Sequence, residues 1–115
     1  MPAYNFKAQF AGPVKSRLKR QTIRAKRANR PRAGQTAYCF TGLRTKAVRR
    51  LGAWPIVAVM DVMLSAQGVW LEGDQHPDIH LDNFARADGF GSWAAMQTWF
   101  EREHGLPFHG DLIMW

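Results

Sequence analysis

Not one of the nine acidic residues in this chain precedes Asp61. Residues 1–60 carry fourteen Lys and Arg, a net charge of +14, while residues 61–115 carry two basic residues against nine acids, a net −7. No other feature constrains the fold as strongly. Folded apart, each half would hold like charges within a Debye length of one another, about 8–10 Å. Such crowding works against a compact state. Two arrangements relieve it: a fold that interleaves the halves, or a polyanionic partner for the basic one.

The apolar pattern favours interleaving. Strand-like runs lie on both sides of residue 60 with no Gly/Ser/Pro-rich linker between them, so residues 1–115 read as a single domain. Five tryptophans and a 46% hydrophobic composition supply enough material for a core. A chain this short has no room for a dinucleotide-binding fold plus a substrate domain, and no cofactor is implied. The lone Cys39 excludes an internal disulfide framework and a cysteine-based zinc site. The N-terminal MPAYNFKAQFAG lacks the apolar core of a signal peptide. The longest apolar run, Ala53 to Met60, falls short of the roughly 20 residues that span a bilayer. A soluble, cytoplasmic protein with no membrane contact is the expectation. No feature sets an oligomeric state.

Periodicity then predicts the elements. Tyr4, Phe6, Ala8 and Phe10 alternate as one face of a first strand. Pro13 suits the opening turn of a short helix through Leu18. Arg20–Arg24 reads as a second strand, Lys26–Arg32 as a basic loop, and Thr36–Thr41 as a strand ending at Gly42. Pro55–Leu64 reads as one long central strand, followed by Val69–Leu71 and a polar loop over Gly73–Asp78. Asp78 is placed to cap a helix from Ile79 towards Ala87. Trp93, Met96, Trp99 and Phe100 recur at helical spacing behind Ser92, a good N-cap, and Gly105 sits where the helix should stop. Asp111–Trp115 forms a last strand. The sum is an α+β fold of five or six mostly antiparallel strands, curled or barrel-like, with two or three short helices.

The densest functional signal is Lys15–Arg32, KSRLKRQTIRAKRANRPR, with nine basic residues and no acid. Arg44, Lys46, Arg49 and Arg50 follow without a compensating carboxylate in the first half. A solvated basic surface is one reading. A phosphate-bearing partner is the other, because the planar guanidinium forks onto phosphate oxygens.

The segments YNFKAQF and VKSRLKRQTIRAKR, then RAGQT, then ARADGF followed by a methionine and WF, resemble the ASCH domain family of the PUA-like superfamily. Lys19-x-x-Thr22-Ile23-Arg24 followed by Gly34 matches that family's most specific signature, and Asp88-Gly89-Phe90 its second. The matches run in order over nearly the whole chain. Small relatives of this kind include phage and prophage proteins. The resemblance implies a PUA-like β-barrel with rim helices and a basic cleft that binds RNA or a nucleotide. Arg17, Lys19, Arg20, Arg24, Lys26, Arg27, Arg30, Arg32, Arg44 and Lys46 are the candidate contacts. It also implies a chemistry: some members look like amidohydrolases acting on N4-acetylcytidine, a modified nucleoside. Their lysine falls on Lys19, their threonine on Thr22, the following arginine on Arg24 and their acidic residue on Asp88. That last position departs from the hydrolases, which carry Glu. A carboxylate one methylene short can miss its reach, and about 1 Å of misplacement can cost about a hundredfold.

On chemical grounds a Thr hydroxyl needs a base, a Lys whose pKa is lowered can serve, and a carboxylate can polarise water or the leaving amine. In a regular strand, however, Lys19 and Thr22 face opposite sides, so the chain must turn between them. Phosphate contact or a satisfied polar network at the rim are the alternatives for this trio. A third functional class is a phage protein that docks on a host protein through its basic face.

Other features have plainer readings. Asp74, His76, Asp78, His80 and Asp82 alternate like metal ligands, but Pro77 breaks the strand that would align them, and no metal site is assigned. Trp93, Trp99 and Trp115 read as core. Trp54 is the tryptophan most open to a stacking role. Tyr38 faces either core or cleft. His104 suits a helix C-terminus, and Cys39 a small buried position.

Overall fold

A computed structural model describes residues 2–115. Strand β1 (Ala3–Phe6) buries Tyr4 and Phe6 on one face. The expected strand through Phe10 stops there, because Ala8 opens helix α1 (Ala8–Ser16). The alternation was ambiguous: Phe10 and Val14, four apart, also lie on one helix face, and both are buried. Pro13 therefore sits inside the helix instead of opening it.

The remaining elements are β2 (Gln21–Arg24), β3 (Thr36–Thr41), β4 (Arg49–Pro55), β5 (Ala58–Ser65), β6 (Gly68–Leu71) and β7 (Asp74–Gln75). A 3-10 turn (Asp78–His80) leads into α2 (Leu81–Ala87), and α3 (Trp93–Glu103) and β8 (Phe108–Met114) complete the chain. Asp78 lies inside the 3-10 turn, and the cap position of α2 falls to His80 instead. Ser92 does cap α3, its Oγ accepting the Ala95 N–H at 3.1 Å.

The fold is α+β, with eight strands among the described residues, more than the five or six read from the pattern. Two sheets form, ordered β1-β3-β4 and β2-β8-β5-β6-β7. Their ladders do not close into a single barrel. Among the described residues only the β1–β3 pairing is parallel. The expected long strand over Pro55–Leu64 is broken, and the hydrogen bonds show why. Ile56 N–H donates to Gln35 of the first sheet's side at 2.7 Å, and Val57 N–H to Met114 of the second at 2.8 Å. The chain changes sheets at these two residues. Pro55, which has no N–H, ends the first strand just before the crossing. β4 escaped notice because Gly52 interrupts its pattern; the Trp54 indole lies back over that glycine, where a Cβ would collide with it.

The core lies between the sheets and under the helices. Tyr4, Phe6 and Cys39 enter from the first sheet, Val62, Leu64 and Leu112 from the second, and Phe84, Met96 and Phe100 from the helices. The first sheet is built entirely from the basic half, whereas the second joins both halves, with basic β2 lying against β8. Cys39 is fully buried, and burial pushes its thiol up to about 11. Since the thiolate is the reactive species, the folded protein is expected to resist a thiol-alkylating reagent at about pH 8 and to take up one equivalent once unfolded. Rapid labelling of folded protein would contradict this placement.

Candidate functional site

After α1 the chain turns sharply at Arg17, whose φ of 69° caps the helix in the left-handed region. Lys19 N–H then donates to Pro13 O at 3.0 Å. Lys19 thus belongs to the turn before β2 and escapes the strand alternation that would have parted it from Thr22. From the other half, α2 ends at Asp88, and Gly89 follows with φ 94°. A Cβ at Gly89 would stand 2.9 Å from Lys19 Cδ, so the glycine lets the lysine stem pass.

The two charges meet inside the protein, each only 3% exposed. The Lys19 ammonium donates to Gln21 O at 2.8 Å and Asp88 O at 2.6 Å, and lies 3.5 Å from Asp88 Oδ1. Gln21 Nε2 donates to the same carboxylate oxygen at 3.4 Å. Burial lowers the Lys19 pKa and raises that of Asp88, while each charge partly offsets the shift of the other. Removing both ions from water costs several kcal/mol each. The two carbonyl acceptors recover part of it by occupying the ammonium protons.

Thr22 is 4% exposed, and its Oγ1 accepts the Arg24 Nε–H at 2.9 Å. The hydroxyl proton is left free to donate, and the guanidinium bond favours negative charge on the oxygen. Arg24 is held in turn: Nη2 donates to Asn5 O at 2.8 Å, and the guanidinium lies 4.9 Å from the Phe6 ring centre. Lys19, Thr22, Arg24 and Asp88 all line one cavity of about 220 Å³. Its walls are aromatic, with Phe10, Phe90 and Trp99 packed at centroid distances of 5.3–5.8 Å. Trp99 Nε1 is buried with no hydrogen-bond partner among the described residues. At the rim Lys7 bridges to Glu103 at 2.9 Å, and His104 packs 4.9 Å from Phe108. His104 thus presents its ring to aromatic neighbours.

The trio that sequence motifs pair therefore lines one cavity, with Lys19 bonded to Gln21 and Asp88, Thr22 to Arg24, and no hydrogen bond between Lys19 and Thr22 among the described residues. The wider set of cations does not. Arg17 and Arg20 line a separate groove with Val57, Met114 and Trp115, and the Arg17 guanidinium stacks 5.0 Å from the Trp54 ring. Arg27 lies 5.2 Å from the Tyr4 ring, and Arg27 and Arg30 edge a small polar groove. Arg32 is exposed, as are Arg44 and Lys46 in the β3–β4 connection.

The basic loop finds no acid within its own half of the sequence. Its partners come from the second half. Lys26 pairs with Asp61 and Asp111, and Arg30 with Asp111 at 3.0 Å. Asp111 is buried on β8, so these bridges strap the loop to the second sheet. The Asp74–Asp82 segment gathers no cluster of three potential metal ligands among the described residues.

Sequence reasoning missed Asn5, Lys7, Phe10 and Gln21 as site residues. Of these only Phe10 left a signal, its spacing of four from Val14. Comparison with protein-family models, curated proteins and solved structures returns no match for this chain.

Proposed function

We propose that this protein is an ASCH-type, PUA-like domain that binds a nucleobase or nucleotide in the cavity floored by Lys19, Thr22 and Asp88. In this reading the two sheets are the halves of a PUA-like barrel. One observation carries the proposal: a buried ion pair and an arginine-held hydroxyl sit at the end of an aromatic-walled cavity. Aromatic walls suit the faces of a heterocycle. Thr22 Oγ1 accepts from Arg24 and keeps its own proton to donate to an acceptor on the ring edge. A volume of about 220 Å³ is below the roughly 300–1,000 Å³ of pockets for drug-sized ligands. A single base or nucleoside is the right scale for it, and a folded strand is not.

Convergence of all three side chains on one cavity favours a second reading, hydrolysis of N4-acetylcytidine. Lys19 in its free-amine form takes the Thr22 proton, Thr22 Oγ1 attacks the acetyl carbonyl, and the cytidine amine leaves with that proton. Water then releases acetate. Burial lowers the Lys19 pKa against the pull of Asp88, Arg24 favours charge on Thr22 Oγ1, and the step requires the Lys19 nitrogen to turn from Gln21 O and Asp88 O towards the hydroxyl.

Calorimetric titration with cytidine, cytidine monophosphate and N4-acetylcytidine tests both readings. Saturable binding is expected, weakened about tenfold in Thr22→Val, the loss of roughly one hydrogen bond. If hydrolysis occurs, cytidine and acetate appear in equal amounts, Thr22→Ser retains turnover and Thr22→Val loses it. Absence of binding by all three ligands sinks the cavity reading.

A further inference from the structure

The three-stranded sheet has two unlike faces. Ala37 and Cys39 of β3 are fully buried, and register places Tyr4, Gly52 and Trp54 on their side. Helix α1 packs on that side too, since Phe10 and Phe6 flank the same Lys19 ammonium at 5.1 and 5.6 Å. Strand side chains alternate, so Tyr38 and Phe40 project from the opposite face. Ala53 stands opposite Tyr38 and, past a bulge at Leu51 of β4, Arg50 stands opposite Phe40; β3 itself stays regular against β1. Both rings are half-buried, yet neither belongs to the core or to the hydrophobic residues packed against it.

Charge surrounds this face. Arg50 is exposed beside Phe40, and Arg44, Lys46 and Arg49 are exposed in the connection and strand that follow. Among the described residues none of the four forms an ion pair. The acids of the second half pair instead with Lys7, Lys19, Lys26 and Arg30. The structure therefore neutralises one part of the +14 half and leaves this part open.

We propose that the outer face of the β1-β3-β4 sheet binds single-stranded nucleic acid, with Tyr38 and Phe40 as stacking platforms and Arg50 at the phosphates. Two residues apart on a strand, their Cα atoms stand about 6.8 Å from each other, room for one base on each ring. Aromatic side chains on a sheet recognise unstacked bases in this way. A duplex offers no free base faces, which sets the preference for single strands. The surface stands apart from the cavity and does not rest on the reading given for it.

Fluorescence anisotropy with labelled oligouridylate, oligothymidylate of equal length and a duplex provides the test. Both single strands should bind and the duplex far less; the ratio of the two reports whether the 2′-hydroxyl is read. Tyr38→Leu and Phe40→Leu keep an apolar side chain but lose the ring, and each should weaken binding about tenfold. Phe40→Trp should retain it. Arg50→Glu should also weaken binding, and flatten the log–log salt dependence by about 0.7 or more. Circular dichroism shows whether each variant is folded. No binding of single strands at low salt, or unchanged affinity in both folded leucine variants, overturns the proposal. Nucleoside binding in the cavity is measured in the same samples and should be untouched by Tyr38→Leu. Loss of strand binding with nucleoside binding intact removes the platform alone; strand binding without nucleoside binding upholds the platform and removes the cavity reading.

Discussion

Lys19→Met is expected to destabilise the protein by about 3–5 kcal/mol, the usual cost of leaving one member of a buried ion pair alone. For a chain of this size that corresponds to a fall of roughly 10–20 °C in Tm. The lysine is 3% exposed and meets two carbonyl oxygens as well as Asp88, so its removal strands three acceptors. Asp88→Asn in the same molecule should recover part of the loss, because no buried charge is then left unpaired. Calorimetric unfolding of the four members of this cycle gives the coupling.

The pH dependence has a definite sign. Burial already holds the Asp88 pKa above its unfolded value, and removing Lys19 removes the largest influence opposing that rise. The folded variant then binds the Asp88 proton more tightly than the unfolded chain does. Its stability is fullest below the unfolded pKa and is lost as pH rises through the folded one. Acidification should therefore narrow the gap between Lys19→Met and the wild type. A variant whose Tm matches wild type at neutral pH would show that the pair is not buried as described.

The second large effect is expected at Gly110. β8 lies between β2 and β5, and a Cβ at Gly110 would collide with the Arg24 carbonyl. Glycine inside a strand marks such close backbone approaches. The neighbour is main chain in a paired strand and cannot swing aside. Gly110→Ala should cost about 1–3 kcal/mol or more, the range for overpacking. It should also displace Arg24, and with it the bond that holds Thr22. Gly89→Ala is the useful comparison: it combines a φ of 94° with pressure on Lys19 Cδ at 2.9 Å. Both variants should weaken nucleoside binding, Gly110→Ala through Thr22 and Gly89→Ala through Lys19. A Gly110→Ala protein with wild-type Tm and affinity would mean that the β2–β8 ladder tolerates a side chain there.

Much of the fold was legible because its signals are local. β3 spans Thr36–Thr41, as its run of β-forming residues predicts, and Ser92 caps α3 through its own hydroxyl. Local signals failed where two periods overlap. Ala8 and Phe10 fit a strand until Val14 is counted, and Ile56–Val57 look like strand interior until their N–H groups are traced to different sheets. β7 has only two residues and no pattern to betray it.

The candidate site was legible in its members and not in its geometry. Lys19, Thr22, Arg24 and Asp88 carry motif spacing, but the objection that Lys19 and Thr22 face apart could be answered only by the turn at Arg17. The reach of Gln21, the aromatic walls and the passage over Gly89 depend on contacts across nearly seventy residues.

By itself the sequence determined that acids and bases are segregated along the chain, and that a fold or a partner must reconcile them. It could not say which cations would be matched, because Coulomb attraction acts through space and is blind to chain order. Tertiary structure decided that. It buried Lys19 against Asp88, strapped Lys26 and Arg30 to Asp61 and Asp111, and left Arg50 exposed beside two outward-facing rings.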